Sequence, residues 1–217
     1  MPSPNIFKYL AVSLLLTAAS ATDTPRVAAS RALLPAAASR TFTQKLAAAA
    51  LDRTAHTVRY VPSYVSIPYP GGDVPANTGV CTDVVVRTYR ALGHDLQKLV
   101  HQDMDNHFSR YPKNWGLKKA DPNIDHRRVP NLQTFFTRHG KKLPISKNPT
   151  DYTPGDLVAW DLNGRGLTHI GILAPAPDGS DHPWVVHNIG SGPQLEDILF
   201  SYIIIGHYRF APKPAAP

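Results

Sequence analysis

At Gly79-Val80-Cys81-Thr82-Asp83-Val84-Val85-Val86, the only cysteine of the chain stands at the turn into a predicted helix. Apolar residues recur at helical spacing from Cys81 to Leu92, and Gly93 ends the helix as a C-terminal cap. A cysteine at a helix N-terminus meets the positive end of the helix dipole and unpaired backbone N–H groups, which both favour thiolate over thiol. A lone cysteine is more often an inert buried side chain. Since it cannot form a disulfide within the chain, we expect either packing or chemistry at this position.

Helical periodicity marks three further segments. They run from Thr41 to about Ala55, from Asp95 to the Pro112 region, and from Pro130 to His139-Gly140. The segment from Thr22 to Arg40 is rich in Ala, Ser, Pro and Arg without a sustained period, which predicts a flexible leader. Three prolines between Val58 and Pro70 predict a short extended or edge segment, closed by a turn at Gly71-Gly72-Asp73.

After Pro149 the apolar pattern changes from helical spacing to alternation and β-branched runs, which predicts strands. The predicted strands are Leu157 to Asp161, Thr168 to Ala174, Trp184 to Ile189 and Ile203 to Phe210. The predicted turns between them are Asn163-Gly164-Arg165-Gly166 and Pro177-Asp178-Gly179-Ser180. Helices that come first and an antiparallel sheet that comes last predict an α+β domain.

Two histidines lie on neighbouring predicted strands. In Thr168-His169-Ile170-Gly171-Ile172, His169 alternates with apolar residues, and His187 has the same position in Trp184-Val185-Val186-His187-Asn188. Adjacent strands joined by a hairpin can place the two imidazoles side by side. A single histidine on a strand is more often structural, but an imidazole near Cys81 can accept the thiol proton. The combination predicts nucleophilic catalysis.

The first 21 residues have the pattern of a bacterial secretory signal peptide. Lys8 supplies a positive charge, Tyr9 to Ala21 is an uncharged apolar run, and Ala19-Ser20-Ala21 is a small-residue cleavage site. We therefore expect cleavage near Ala21 and a periplasmic or secreted mature protein. The run is too short to span a bilayer, and no later run of about 18 apolar residues occurs, so we expect no membrane span in the mature chain.

The net charge of +7 favours anionic partners. The basic pairs Lys118-Lys119 and Lys141-Lys142 are short, and the chain lacks the long basic run or RNA-binding aromatic signature that nucleic-acid binding calls for, so we expect no nucleic-acid partner. His126-Arg127-Arg128 differs, because Asp125 before it and Pro130 after it place it in a structured turn into a helix. An arginine there can hold a substrate carboxylate by a bidentate pair, so His126 and Arg127 are candidate substrate residues.

Five short motifs follow one another along the chain. They are Tyr69-Pro70-Gly71-Gly72, Cys81 at a helix start, Pro154-Gly155-Asp156-Leu157-Val158, His169-Ile170-Gly171-Ile172 and Val186-His187. Their order resembles that of the NlpC-type, papain-like cell-wall peptidases, which are related to the CHAP amidases.

A longer resemblance covers the chain from about Val61 to Phe210. It resembles a bacterial domain of unknown function, number 1287, which belongs to the same broad superfamily. Three segments look typical of that family: Ile67 to Pro75, Asn123 to Leu132, and His187-Asn188-Ile189-Gly190.

The resemblance implies a papain-like cysteine hydrolase that cleaves amide bonds through a thioester. Cys81 would be the nucleophile, His169 the general base and His187 the residue that orients the base. The backbone N–H of Cys81 would hold the oxyanion with help from the Tyr69 hydroxyl, and Asp83 and Asn188 are further oxyanion or substrate candidates. No metal or cofactor is implied, and the expected partner of the monomeric protein is a peptide or peptidoglycan-like substrate.

The chain departs from the peptidase pattern at two places. The motif Asp-Cys-Ser-Gly is replaced by Val80-Cys81-Thr82-Asp83, and the charge of Asp83 suits a helix N-terminus while opposing a thiolate nearby. The interval from Cys81 to His169 is longer than in that family, so residues 94–150 are interpreted as an inserted helical segment that covers or shapes the cleft.

This interpretation divides the chain into four parts. They are a signal peptide (1–21), an Ala-rich leader with an N-terminal helix (22–56), an NlpC-like cysteine hydrolase domain (57–211) and a C-terminal tail (212–217).

Three other functions remain open. A catalytically silent cell-wall binding module would share the fold and the basic surface. An acyl or peptidyl transferase would use the same thioester with a different acceptor. A zinc site made of Cys81, His169 and His187 has suitable ligand atoms, but the sequence lacks the closely spaced ligand pairs of structural zinc sites.

Overall fold

The computed structural model describes residues 24–213, so the predicted signal peptide and the end of the predicted tail lie outside the described residues. The α-helices are α1 (Pro25–Ala32), α2 (Phe42–Arg53), α3 (Cys81–Ala91), α4 (Leu96–Asn106) and α5 (Val129–His139). The strands are β1 (Arg59–Tyr60), β2 (Thr78–Gly79), β3 (Lys141–Lys142), β4 (Leu157–Asp161), β5 (Thr168–Ala174), β6 (Trp184–His187), β7 (Gln194–Glu196) and β8 (Ile203–Arg209).

One antiparallel sheet organises the domain. Its strand order is β3-β8-β4-β5-β6-β7, and every neighbouring pair is antiparallel. A separate short ladder joins β1 and β2 in parallel, with Tyr60 opposite Gly79. The chain is therefore a mixed α+β domain with an antiparallel sheet, as the change of apolar period predicts.

Alternation along the strands gives the sheet two buried faces. On β5, Ile170 and Ile172 join the core that the helices cover, while Leu173 joins a smaller cluster around Trp160 on the opposite face. The Trp160 indole N–H donates to the carbonyl of Leu199 at 2.9 Å, so the segment before β8 closes that second face. A fully buried Leu or Ile stabilises the fold by about 1.5–3 kcal/mol, so both layers matter for stability.

Helix α3 forms the centre of the helical layer. Val84, Val85 and Val86 are buried in its first turns, and the buried Tyr89 donates its hydroxyl to the carbonyl of Phe210 at 2.8 Å. This bond ties the helix that begins at Cys81 to the end of β8. The nucleophile candidate is thus held by an element packed along its whole length.

The N-terminal part of the domain extends further upstream than the sequence suggests. Part of the predicted flexible leader forms α1, because Thr24 caps the helix, Pro25 suits its first turn and Val27 is buried in the main core. The Ser30 hydroxyl also donates to the carbonyl of Pro175 at 2.6 Å. Helix α2 packs on α3 and β5, so the same core continues upstream of residue 57.

Residues 94–150 are integrated into the fold. Helices α4 and α5 contribute Leu96, Val100, Leu132, Phe135 and Phe136 to the main core. The turns between these helices reach back to the start of α3. Within residues 24–213, no helix combines the length and apolar character needed to cross a membrane.

Candidate active site

The position of Cys81 is set by the short β1–β2 ladder and by a side-chain cap. The backbone N–H of Val61 donates to the carbonyl of Gly79 at 3.3 Å. The backbone N–H of Val80 donates to Oδ2 of Asp83 at 2.7 Å, which fixes the turn into α3. Cys81 is consequently the first residue of α3, as the sequence predicts.

The thiol lies against the open edge of β5. Strand β6 pairs with β5 only from Ile172 onward, and the Leu173 N–H bonds toward the β4 side, so the Ile170 N–H points to the unpaired edge. Cys81 is near this N–H, and its side chain is buried. The thiol of Cys81 is therefore near the backbone of Ile170, the residue that follows His169 on β5.

Burial dominates the chemistry of the thiol. It raises the pKa of Cys81 to about 11, and the nearby charge of Asp83 adds to the rise. Hydrogen bonds from the backbone N–H groups of Ile170, Thr82 and Cys81 itself oppose the rise but do not cancel it. The helix end favours the thiolate, as expected, but burial outweighs this effect, so Cys81 is a neutral thiol at rest.

Two imidazoles and a carboxylate form a chain across β5, β6 and β7. Nε2 of His169 lies 3.0 Å from Nδ1 of His187, and the two rings meet edge to face. Nε2 of His187 lies 2.7 Å from Oε2 of Glu196, at ion-pair distance but without the angles of a hydrogen bond. Strand alternation places both histidines on the face of Trp160, whose ring is 6.0 Å from that of His169.

The order of groups in this chain favours one pair of tautomers. A carboxylate only accepts hydrogen bonds, so Glu196 favours a proton on Nε2 of His187, and Nδ1 of that ring then accepts from Nε2–H of His169. This leaves Nδ1 of His169 with a lone pair. The arrangement therefore prepares His169 to accept a proton at Nδ1.

Burial also keeps these histidines neutral. It lowers the pKa of His169 to about 3, with a smaller contribution from His187. Burial likewise lowers the pKa of His187, although Glu196 opposes that shift. No hydrogen bond joins the Cys81 thiol to the His169 ring among the described residues, so at rest the two candidates are a neutral thiol and a neutral base.

Gly171 makes the close approach of the two strands possible. A Cβ atom at this position would lie 2.5 Å from Cγ1 of Val185 and 3.2 Å from Cβ of His187. Both distances are too short for an ordinary side-chain contact. The glycine in the His169-Ile170-Gly171-Ile172 motif therefore leaves room for the imidazole pair.

A tyrosine does lie next to the thiol, but it is Tyr60 rather than Tyr69. Tyr60 is on β1, and burial together with the neighbouring Cys81 and Asp83 raises the pKa of its phenol to about 12. Its hydroxyl is thus protonated and can donate a hydrogen bond. Tyr69 instead packs its ring on His101 at 4.9 Å, so the predicted oxyanion role does not fit its position.

Asp83 and Arg127 bind each other. The Arg127 guanidinium donates to both carboxylate oxygens, at 2.9 and 3.1 Å, and both side chains are almost fully buried. Arg127 also donates to the carbonyl of Ser63, and its own carbonyl accepts from the Thr82 hydroxyl. The pair therefore fixes the start of α3, and neither member has the freedom that substrate binding requires.

Two other candidates, His126 and Asn188, are buried. His126 is buried, and burial followed by the charges of Arg127 and Arg90 lowers its pKa to about 3. Asn188 is also buried, where its side-chain oxygen accepts from the N–H groups of Gly190 and Gly192. Asn188 therefore shapes the turn after β6, and its side-chain N–H donates to the carbonyl of Gly79, two residues before Cys81, at 3.5 Å.

A cavity of about 180 Å³ opens in front of Cys81. Its walls come from β1, from the start of α3 and from residues 115–130 of the predicted inserted segment. The lining residues are Tyr60, Pro62, Val80, Cys81, Thr82, Trp115, Ile124, Arg127, Arg128, Val129, Pro130 and Thr168. The segment 94–150 thus shapes the space that a substrate would enter.

Comparison with known proteins identifies the family of this chain. The family model described as Domain of unknown function (DUF1287) matches residues 47–210. The chain belongs to the DUF1287 family. The match begins inside α2 and ends just after β8, so the DUF1287 unit contains the complete sheet and both sides of the cavity.

One curated relative is the uncharacterized protein YijF of Escherichia coli (strain K12). It is 53% identical over 170 residues, which cover 77% of this chain and 82% of YijF. No solved structure matches the chain.

Sequence reasoning missed two residues of this DUF1287 site. Tyr60 escaped notice because its position beside Cys81 depends on the parallel β1–β2 ladder, whereas Tyr69 stands in a recognisable motif. Glu196 escaped because β7 is short, although a carboxylate in an alternating Gln194-Leu195-Glu196 segment after His187 was an available signal.

The zinc alternative gains no support from the geometry. Within residues 24–213, no group of three or more His, Cys, Asp and Glu side chains is arranged to hold a metal ion.

Proposed function

We propose that this DUF1287 chain is a papain-like cysteine hydrolase of the NlpC type that cleaves amide bonds through a thioester. The observation that carries the proposal is the His169–His187–Glu196 chain, whose first imidazole precedes Ile170, the strand residue whose N–H is near the thiol of a cysteine at a helix N-terminus. Inert packing of Cys81 does not require two adjacent histidines whose tautomers are set by a carboxylate.

In the first step, Nδ1 of His169 takes the thiol proton while the sulfur of Cys81 attacks the carbonyl carbon of the substrate. The neutral resting groups fit a transfer that occurs together with attack rather than a stored thiolate. A catalytic hydrogen bond that is absent at rest can form when substrate binds, so the first step requires the thiol and the imidazole to come together.

The tetrahedral oxyanion would accept hydrogen bonds from the backbone N–H of Cys81 and from the Tyr60 phenol. Cleavage of the carbon–nitrogen bond then transfers the proton of His169 to the leaving amine and leaves a thioester on Cys81. Water, deprotonated by His169, attacks the thioester and releases a carboxylic acid and the regenerated thiol.

The proposed setting is the bacterial periplasm or the exterior, because residues 1–21 have the pattern of a signal peptide. In that setting, the peptide stems of peptidoglycan are the proposed substrates. A basic chain of net charge +7 also suits an acidic cell-wall polymer.

A silent binding module is the second candidate, since a buried neutral thiol without a hydrogen bond to His169 is also what an inert site would have. The two candidates are separated by digesting purified peptidoglycan with wild-type protein and with Cys81→Ala, followed by mass spectrometry of the released fragments. We expect fragments with a new amine and a new carboxylate from the wild type alone. Identical release by Cys81→Ala contradicts the hydrolase, and products joined to an added amine identify a transferase.

Alkylation of Cys81 gives a readout that does not depend on the choice of substrate. We expect iodoacetamide to label the wild type faster than His169→Ala at the same pH, because the imidazole assists removal of the thiol proton. Equal rates in two folded proteins would favour the binding module. Thermal unfolding of both proteins serves as the control for folding.

A further inference from the structure

Arg128 differs from the other arginine beside the Cys81 cavity. Arg127 is fully engaged by Asp83, whereas Nη1 of Arg128 is buried and has no hydrogen-bond partner within the described part of the chain. Both residues line the cavity. A buried guanidinium nitrogen without a partner carries a desolvation cost that a bound acceptor would remove.

The acidic side chains near Arg128 direct their hydrogen bonds to other groups, and Oδ1 of Asp125 is buried without a hydrogen-bond partner within residues 24–213. Asp121 accepts from the Tyr64 hydroxyl and from the Asn123 N–H, and Oδ2 of Asp125 accepts from His101 and from the Asp121 N–H. These carboxylates act on Arg128 through space, and neither forms an ion pair with it in residues 24–213. The forked donors of Arg128 therefore remain available to a carboxylate from outside.

The ring of Trp115 packs against the guanidinium of Arg128. The Cζ atom of Arg128 lies 4.2 Å from the centre of the Trp115 ring, and Trp115 lines the same cavity. Trp115 has φ 69°, an unfavourable left-handed conformation for an aromatic residue. Stacking holds the plane of the guanidinium in place, and backbone strain of this kind is frequent where a ligand is clamped.

The size of the space limits what can bind. A cavity of about 180 Å³ is smaller than the roughly 300–1,000 Å³ of sites for drug-sized ligands, so it holds one small group rather than a long side chain. A planar guanidinium stacked on an aromatic ring is suited to a planar, bidentate carboxylate. Cys81 and Arg128 then face the same small group from two sides.

We propose that Arg128, stacked on Trp115, binds a carboxylate of the substrate next to the amide that Cys81 attacks, so that the substrates are peptides with a free carboxylate beside the scissile bond. This inference rests on the proposed cysteine hydrolase. The carboxylate-binding residue is then Arg128. It is not the neighbouring Arg127, which the sequence predicts for that role.

Two alkylating reagents, compared by their rates at Cys81, test this proposal without a known substrate. Iodoacetate and iodoacetamide have the same reacting carbon, but only iodoacetate has a carboxylate. We expect the ratio of the iodoacetate rate to the iodoacetamide rate at Cys81 to fall about tenfold in Arg128→Gln, about 1.4 kcal/mol of lost carboxylate binding. The iodoacetamide rate itself should stay unchanged, which shows that the thiol is still accessible.

Two further variants sharpen the result. Arg165→Gln removes a guanidinium from the exposed turn between β4 and β5, and we expect it to keep the wild-type ratio. Arg128→Lys keeps the charge without the planar fork, so its ratio should lie between those of wild type and Arg128→Gln. Added salt should reduce the wild-type ratio because it screens the charge.

The outcomes separate the two proposals. If Cys81 reacts with both reagents and Arg128→Gln leaves their ratio unchanged, the carboxylate site is wrong while the cysteine hydrolase stands. If Cys81 reacts with neither reagent in the folded protein, the proposed hydrolase fails and the carboxylate site fails with it.

Discussion

At the scale of single residues, burial holds the candidate nucleophile and its candidate base uncharged. Burial raises the pKa of Cys81 to about 11 and lowers that of His169 to about 3. A helix N-terminus alone stabilises a thiolate by a modest amount, and in this protein desolvation is the larger effect. The reactivity of Cys81 is consequently expected to depend on its base and on the substrate rather than on a preformed thiolate.

Tyr60→Phe tests the second oxyanion donor. Removal of the phenol is expected to lower kcat for amide cleavage about 100-fold, because one oxyanion-hole hydrogen bond is lost in the transition state. The measurement is steady-state hydrolysis of peptidoglycan fragments. Tyr69→Phe is the matched control and should keep the wild-type kcat, since Tyr69 contacts His101 instead. A lower kcat in Tyr69→Phe together with a wild-type kcat in Tyr60→Phe would show that Tyr69, not Tyr60, is the oxyanion donor.

Glu196→Gln tests the carboxylate behind the imidazole pair. A neutral amide can donate to Nε2 of His187 and so favour the wrong tautomer along the chain, which is expected to lower kcat about tenfold. KM should change little, because Glu196 does not border the cavity. Gln194→Ala on the same strand is the control. A rise in KM with constant kcat would mean that Glu196 contacts substrate rather than positioning the base.

At the scale of elements, the start of α3 is locked to the turn before α5. Arg127 belongs to a short 3-10 helix (Asp125–Arg127), and its ion pair with Asp83 joins this turn to the first turn of α3. The Thr82 hydroxyl adds a bond to the Arg127 carbonyl at 3.2 Å. Because Arg128 follows directly, the same lock positions the proposed carboxylate site relative to Cys81.

Arg127→Met is expected to lower the free energy of unfolding by about 3–5 kcal/mol, because it leaves the buried carboxylate of Asp83 without its partner. Urea unfolding followed by circular dichroism measures the loss. Combining Arg127→Met with Asp83→Asn should recover part of it, since the uncompensated charge is then absent. A loss of the same size in the double variant would show that packing, not charge, connects the two elements.

The sequence predicts elements well where the signal is local. The helical spacing after Cys81 and the alternation around His169 gave α3 and β5 with nearly the observed bounds. The β1–β2 ladder and β7 are short, and they depend on residues that are distant along the chain. Tyr60 and Glu196 lie on those two elements, which is why site residues were missed there.

At the scale of the whole molecule, buried histidines link stability to pH. The pKa values of His126 and His169 are both lowered to about 3, with burial as the main cause. Around His126, Arg127 and Arg90 lower the pKa further while Asp95 and Asp73 oppose them. Histidines in the unfolded chain titrate at about pH 6.5, so below that pH the unfolded state binds more protons than the folded state.

We therefore expect the free energy of unfolding to fall as the pH drops from about 6.5 toward 3, by up to about 1.4 kcal/mol per pH unit for each of these histidines. Urea unfolding at a series of pH values measures the slope. His126→Gln should reduce the slope by about one proton, because glutamine does not titrate. An unchanged slope would show that His126 takes up a proton without unfolding.

The distribution of tryptophans has a practical consequence. Trp160 and Trp184 are buried, whereas Trp115 is 56% exposed and lies beneath the guanidinium of Arg128. A soluble quencher such as acrylamide should therefore act mainly on the emission of Trp115. Any ligand that enters the space before Cys81 would shield this ring, so intrinsic fluorescence offers an optical reporter of occupancy in the unlabelled protein.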